Sequence, residues 1–174
     1  GVPPVNNGSA DIAFPSAGGL VQTPIVDVPY SVKSMRFGSG DGRFVVLGAS
    51  ELTVGAGGIL NNDADLQSVI GPVKLSADQT WDAADGPLQI DDVNLNGFDL
   101  TLAGTYGITV VSLNVAGGNV VGSGGPFDVN GPIYLDAGSI SGPQTVRVKG
   151  PIASTASSTS ASITAATLDL DGGT

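Results

Sequence analysis

The stretch from Val73 to Leu135 decides the fold, because one short pattern returns in it at a fixed interval. Each apolar-polar-apolar triplet begins 20 positions after the previous one: Val73-Lys74-Leu75, Val93-Asn94-Leu95, Leu113-Asn114-Val115 and Ile133-Tyr134-Leu135. Alternation with a period of two is typical of a strand that buries one face. Strands that return in phase indicate coils of equal length, stacked on one another.

Two further series of strands accompany the first. One has a slightly irregular step: Leu88/Ile90, Ile108/Val110, Phe127/Val129 and Val146/Val148. The other passes through Phe98/Leu100/Leu102, Val120/Val121 and Ile140. Turn residues such as Asn96-Gly97 and Gly124-Gly125 separate the strands. Three short strands per coil of about 20 residues predict an all-β fold, a parallel β-helix or β-solenoid.

A β-sandwich is the alternative architecture. It also contains many short strands, and it tolerates irregular spacing between them. It gives no reason for strands that return in phase, so the sequence favours the solenoid. No segment of ten residues has helical spacing without a Gly or Pro, and we expect almost no helix.

Composition excludes several classes of function. The chain contains no Cys and no His, so disulfides, thiolate metal sites and a Ser-His-Asp triad are ruled out. Its formal net charge is −10 with six Lys and Arg residues, so it lacks the basic face that binds nucleic acid. Although 41% of the residues are apolar, no apolar run is long enough to span a bilayer.

The 174 residues are predicted to form a single elongated domain with three regions. Residues 1–40 are rich in Pro and form either an N-terminal cap or the first coils. Residues 41–150 carry the repeat. Residues 151–174 are rich in Ser and Thr, and we expect this segment to be a linker, a glycosylated stalk or a terminal strand used in assembly.

Residues 52 to 104 resemble a known family. The resemblance rests on three segments, of which Gln79-Thr80-Trp81 in the second is the most specific: 52–62, 70–81 and 86–104. Their order is similar to the autotransporter-associated β-strand repeat of bacterial surface and secreted proteins. The resemblance extends over residues 10 to 115, although only one unit carries a Trp.

The resemblance implies a right-handed β-helix of the passenger-domain type, exported and surface-associated. The family has no shared catalytic residues to carry over. Gln79, Thr80 and Trp81 are therefore expected to be a structural signature. No catalytic or cofactor-binding residue is predicted, and the expected location is extracellular or on the cell surface.

Four acids are candidate Ca²⁺ ligands, because Ca²⁺ takes six to eight oxygen ligands from carboxylates and carbonyls. They are Asp63, Asp65, Asp91 and Asp92. The competing interpretation is that aspartates in turns accept hydrogen bonds from their own backbone. The sequence favours this second interpretation, so no metal or cofactor is required.

Other polar and aromatic residues suggest modification, stacking or structural roles. The candidate O-glycosylation sites are Ser154, Thr155, Ser157, Ser158, Thr159 and Ser160. Trp81 and the three tyrosines could stack on sugars, but with so few aromatics a core or corner position is the stronger interpretation. Five asparagines are expected to form inward amide ladders at the coil turns: Asn94, Asn96, Asn114, Asn119 and Asn130.

Three functions fit these features. The first is a non-catalytic structural protein, a surface spacer or a subunit that self-associates into a homo-oligomer or filament through its solenoid ends or by strand exchange. The second is an adhesin or carbohydrate-binding module that contacts surface glycans through a lateral face. The third and weakest is a polysaccharide-acting enzyme that uses Asp136, Arg147 and Lys149, which more simply form surface ion pairs.

Overall fold

A computed structural model describes residues 4–15, 20–40, 42–154 and 161–171, which form short strands joined by tight turns. Within these ranges the chain is all β, with no helix, and winds into a parallel β-solenoid of about seven coils about 21 residues apart. Accordingly, these ranges hold no helix of the length and hydrophobicity that a membrane span requires.

Sixteen strands form one continuous sheet. In chain order they are β1 Asp11–Phe14, β2 Ile25–Val26, β3 Tyr30–Phe37, β4 Val45–Gly48, β5 Leu52–Asn61, β6 Gln67–Leu75, β7 Gln79–Ala83, β8 Leu88–Asn94, β9 Leu100–Gly104, β10 Ile108–Gly122, β11 Phe127–Val129, β12 Ile133–Ser141, β13 Thr145–Val148, β14 Ile152–Ala153, β15 Ala161–Thr164 and β16 Thr167–Leu170. Long strands such as β10 bend at coil corners and contribute to more than one face.

Three ladders of parallel strands form the faces of the solenoid. Face A contains Leu100, Val120 and Ile140 in register, and face B contains Leu88, Ile108, Phe127 and Val146. Face C contains Val73, Val93, Leu113 and Ile133. All three predicted series are therefore confirmed. Every strand pair among the described residues is parallel, which excludes the antiparallel sandwich.

The coils differ in length, and corners with glycine absorb the difference. The register partner lies 24 positions away for Phe37 and Asn61, but only 19 positions away for Ile108 and Phe127. The longer step coincides with a bulge that ends at Gly58, whose φ is 63°. A Cβ at Gly58 would lie 1.9 Å from the Thr80 carbonyl oxygen of the next coil, so only glycine fits.

One apolar core runs through all the coils. Alternate side chains of each strand point inward, and Trp81, Phe37 and Phe127 are among the largest that are fully buried. In the first coils Phe14 stacks on Phe37 with ring centroids 4.5 Å apart, and both rings contact Phe44. The segment before residue 41 thus supplies coils that extend the same core.

Replacing Leu113 tests the inward orientation of β10 on face C. Leu113 is 0% exposed there, whereas Val111 points outward at the corner where β10 bends from face B to face C, and is 38% exposed. We expect Leu113→Ala to lower the free energy of unfolding by about 2–5 kcal/mol, because it leaves a cavity in the core. Val111→Ala should cost less than about 1 kcal/mol. Urea denaturation of both variants provides the measurement, and equal losses would contradict the assigned orientation of β10.

Candidate functional site

The Gln79-Thr80-Trp81 segment forms β7 together with the two residues after it, and it holds two coils together. Trp81 is fully buried, and its indole Nε1 donates a hydrogen bond of 2.9 Å to Gln79 Oε1. Gln79 Nε2 donates a second bond of 2.9 Å to the Val54 carbonyl of the preceding coil. Thr80 points outward. The two contacts of Gln79 give this segment a structural role.

Two other buried amides make similar contacts between coils. Gln67 accepts from the Phe44 backbone N–H at 2.7 Å and donates to the Gly42 carbonyl at 2.9 Å. Asn61 donates to the carbonyls of Asp65 and Pro87. Neither contact was predicted from the sequence. The signal that could have revealed them is that Gln67 and Asn61 occupy inward positions, in register with the apolar residues Leu88 and Ala83.

The asparagines expected to form inward ladders lie elsewhere. Asn94 and Asn114 occupy outward positions on face C, and Asn96 and Asn130 are exposed. Asn119 does form a ladder, but an external one at a corner: it donates to Asp99 Oδ1 at 2.9 Å and accepts from Ser139 Oγ at 3.0 Å. The inward prediction was wrong because the inward positions of these coils hold aliphatic side chains.

The four candidate Ca²⁺ ligands fall into two separate pairs. Asp63 is buried in a turn, where its carboxylate accepts the backbone N–H groups of Asp65 and Gly42. Asp91 and Asp92 are consecutive on β8 and both point outward, at the corner between the inward residues Ile90 and Val93. No cluster of three acids able to hold a metal ion occurs in the described ranges.

Asp91 has an unusual electrostatic environment. It lies across from Val111 on β10, and the Ile70–Gly71 bulge lies on its other side. Partial burial, followed by the negative charge of Asp92, raises the pKa of the Asp91 carboxyl above its ordinary value. Asp91 and Asp92 alone supply fewer oxygen ligands than the six to eight that Ca²⁺ takes.

The tyrosines are divided between the surface and the first coil. Tyr134 is 42% exposed on face C and Tyr106 is 46% exposed at a corner, whereas Tyr30 is only partly exposed. The Tyr30 hydroxyl donates to the Pro4 carbonyl. Tyr134 and Tyr106 are therefore the aromatic rings that a ligand could reach most readily.

A shallow groove of about 240 Å³ runs along the outside of face C. We call it the face C groove and define it by six polar residues: Glu51, Asp92, Asn94, Ser112, Asn114 and Tyr134. They come from two outward rows that flank the inward row of Val73, Val93 and Leu113. The groove was not predicted from the sequence, although five of its residues lie within the repeated triplets or directly before them.

One polar atom of the groove lacks a partner. Ser112 Oγ donates to Asp92 Oδ1 at 2.6 Å, but the buried Oδ1 of Asn114 has no hydrogen-bond partner within the described part of the chain. A buried acceptor without a donor costs about 1–3 kcal/mol, so rotation of the Asn114 amide toward the groove, where its oxygen could meet a donor, would be favourable.

The remaining predicted residues do not assemble into a site. Arg147 pairs with Asp128 at 3.2 Å, which supports its interpretation as part of a surface ion pair. Lys149 is exposed on the row of Asn130. Among the candidate O-glycosylation residues Ser154 is exposed, while Thr155, Ser157, Ser158, Thr159 and Ser160 lie outside the described residues.

Comparison with known protein families, curated proteins and solved structures finds no match for this chain. The fold alone assigns the chain to a class, the parallel β-solenoids.

Gln79 provides a test of the buried amide contacts. Gln79→Leu leaves the Trp81 indole N–H and the Val54 carbonyl without their partner, and we expect it to lower the free energy of unfolding by about 2–4 kcal/mol. Thr80→Val, on the outward side of the same strand, should change it by less than about 0.5 kcal/mol. Fluorescence of Trp81, the only tryptophan, reports unfolding in urea. A larger loss for Thr80→Val would refute the structural role of Gln79.

Proposed function

We propose that this protein is a non-catalytic structural element, a spacer or fibre subunit, that associates through the ends of its solenoid with a second copy. The observation that carries the proposal is that both described ends leave apolar rows and strand edges uncovered. Strand edges of this kind pair readily with another chain unless something covers them.

At the first coil, the uncovered region is an apolar hollow. Its volume is about 630 Å³, and Ile12, Phe14 and Val26 line it together with the exposed Val28. Strands β1 and β2 each pair with one neighbour only, within the described ranges. The same side chains would be buried by one more coil stacked on this end.

At the last coil, the inward rows are again exposed. Leu168 and Leu170 follow Val146 and Val148 on face B, and Ile152 follows Ile133 on face C. All three are between 44% and 53% exposed. Within the described residues, strands β14, β15 and β16 each pair with a single neighbour. Their outer edges have no partner strand there and can pair with another chain.

The two ends suit head-to-tail contact. Each presents parallel strands of the same three faces, so a second copy could continue the ladders at the usual spacing of about 4.8 Å. A head-to-tail contact joins two different surfaces, and unless it closes into a ring it propagates into a filament. Exchange of the terminal strands between copies would use the same edges.

Three further features support an extracellular, surface-associated location. The chain has no cysteine and a net charge of −10, and residues 52 to 104 resemble the autotransporter-associated β-strand repeat. The buried contacts of Gln79 and Trp81 are compatible with a repeated structural unit. We extend the proposal to a bacterial surface or secreted protein of this passenger type.

Leu168 and Val121 form a matched pair that tests assembly through the ends. Both are 44% exposed, but Leu168 lies on the last described strand and Val121 on the side of face A. We expect the unmodified chain to form larger species with rising concentration. Leu168→Lys should weaken this association at least about tenfold, because it places a charge in the apolar contact.

Analytical ultracentrifugation and electron microscopy at several concentrations provide the readout. Val121→Lys should assemble like the unmodified chain. A chain that stays monomeric throughout, or one that Val121→Lys disrupts as strongly as Leu168→Lys, would overturn assembly through the ends.

A further inference from the structure

We propose that the face C groove binds a neutral carbohydrate chain. This function is separate from assembly, because the groove lies on the side of the solenoid and not at its ends. The observation that points to a ligand is the combination of an exposed aromatic ring, a row of amides and a buried acceptor without a donor, all in one groove.

The parallel ladder gives the groove its extended shape. Thr53, Lys74, Asn94, Asn114 and Tyr134 are successive register partners on the outward side of face C. Five rows at about 4.8 Å span about 19 Å. Asp92 and Ser112 belong to the second outward row, two positions earlier on the same strands, and Glu51 lies in the same row directly before β5. A linear chain with a regular repeat fits such a surface better than a compact small molecule.

The side chains of the groove match the chemistry of a sugar. The carboxylates of Glu51 and Asp92 accept hydrogen bonds from hydroxyl groups, and amides such as Asn94 both donate and accept. The Tyr134 ring offers an apolar face next to a polar hydroxyl, which suits the apolar face of a sugar ring. After rotation of the Asn114 amide toward the groove, a hydroxyl of the ligand would supply the missing donor to its Oδ1.

Charge distinguishes a neutral ligand from an acidic one. The groove contains the two carboxylates Glu51 and Asp92, and the chain as a whole carries −10. Lys74 is the only cation on the outward row from Thr53 to Tyr134. The negative potential of the groove would repel an anionic polysaccharide, whereas a neutral chain would experience no such repulsion.

Nuclear magnetic resonance titration tests the proposal on the intact chain. The probes are four hexasaccharides: the neutral cellohexaose, chitohexaose and mannohexaose, and the anionic hexagalacturonate. We expect at least one neutral probe to shift the side-chain amide resonances of Asn94 and Asn114, and the anionic probe to shift neither. Tyr134→Ala should weaken binding about three- to tenfold, through the lost stacking.

Tyr106→Ala is the matched control, since Tyr106 is similarly exposed but lies outside the groove. It should leave the affinity unchanged within about twofold. The proposal is overturned if no neutral probe shifts the two amides, if hexagalacturonate binds more tightly than the neutral probes, or if both tyrosine variants weaken binding equally. None of these results depends on whether the ends of the solenoid associate.

Discussion

Parallel pairing between consecutive coils is the constraint on which the rest of the structure depends. Each strand forms its backbone hydrogen bonds with the coil before it and the coil after it, so side chains at register positions stack in rows. A row that points inward must be apolar, apart from polar side chains whose hydrogen bonds are satisfied, and a row that points outward becomes a continuous surface. The core, the face C groove and the uncovered ends all follow from this one arrangement.

The same constraint explains where polar side chains are buried. An inward polar side chain interrupts the core, and it is tolerated only if its hydrogen bonds are satisfied. Gln67 and Gln79 meet this condition by bonding the backbone of the coil before, and Asn61 by bonding a carbonyl of the next coil. These three amides lie in the earlier coils, where the register steps are longer and bulges break the ladders.

The regular part of the fold could be predicted from the sequence, because each strand carries its own apolar pattern within a few residues. From Val73 to Leu135 the strands show period-two alternation, and a step of 20 residues on face C, with 19 to 21 on the other faces, aligns them without further information. Before Leu52 the step lengthens and corner insertions shift the phase, so the coils built from β1 to β4 could not be aligned from the pattern alone. The groove was missed for another reason, because its outward polar side chains carry no apolar pattern and the alignment used only the inward apolar positions.

Spin-label distances along face C test the parallel coil most directly. The chain has no cysteine, so labels can be placed at Thr53 together with Asn114, Tyr134 or Ala153, which are three, four and five coils further along one outward row. The account predicts that the separation grows by about 4.8 Å with each coil, from about 14 to about 24 Å. Separations that do not increase with coil number would contradict it, since strands folded back on one another would bring distant labels together.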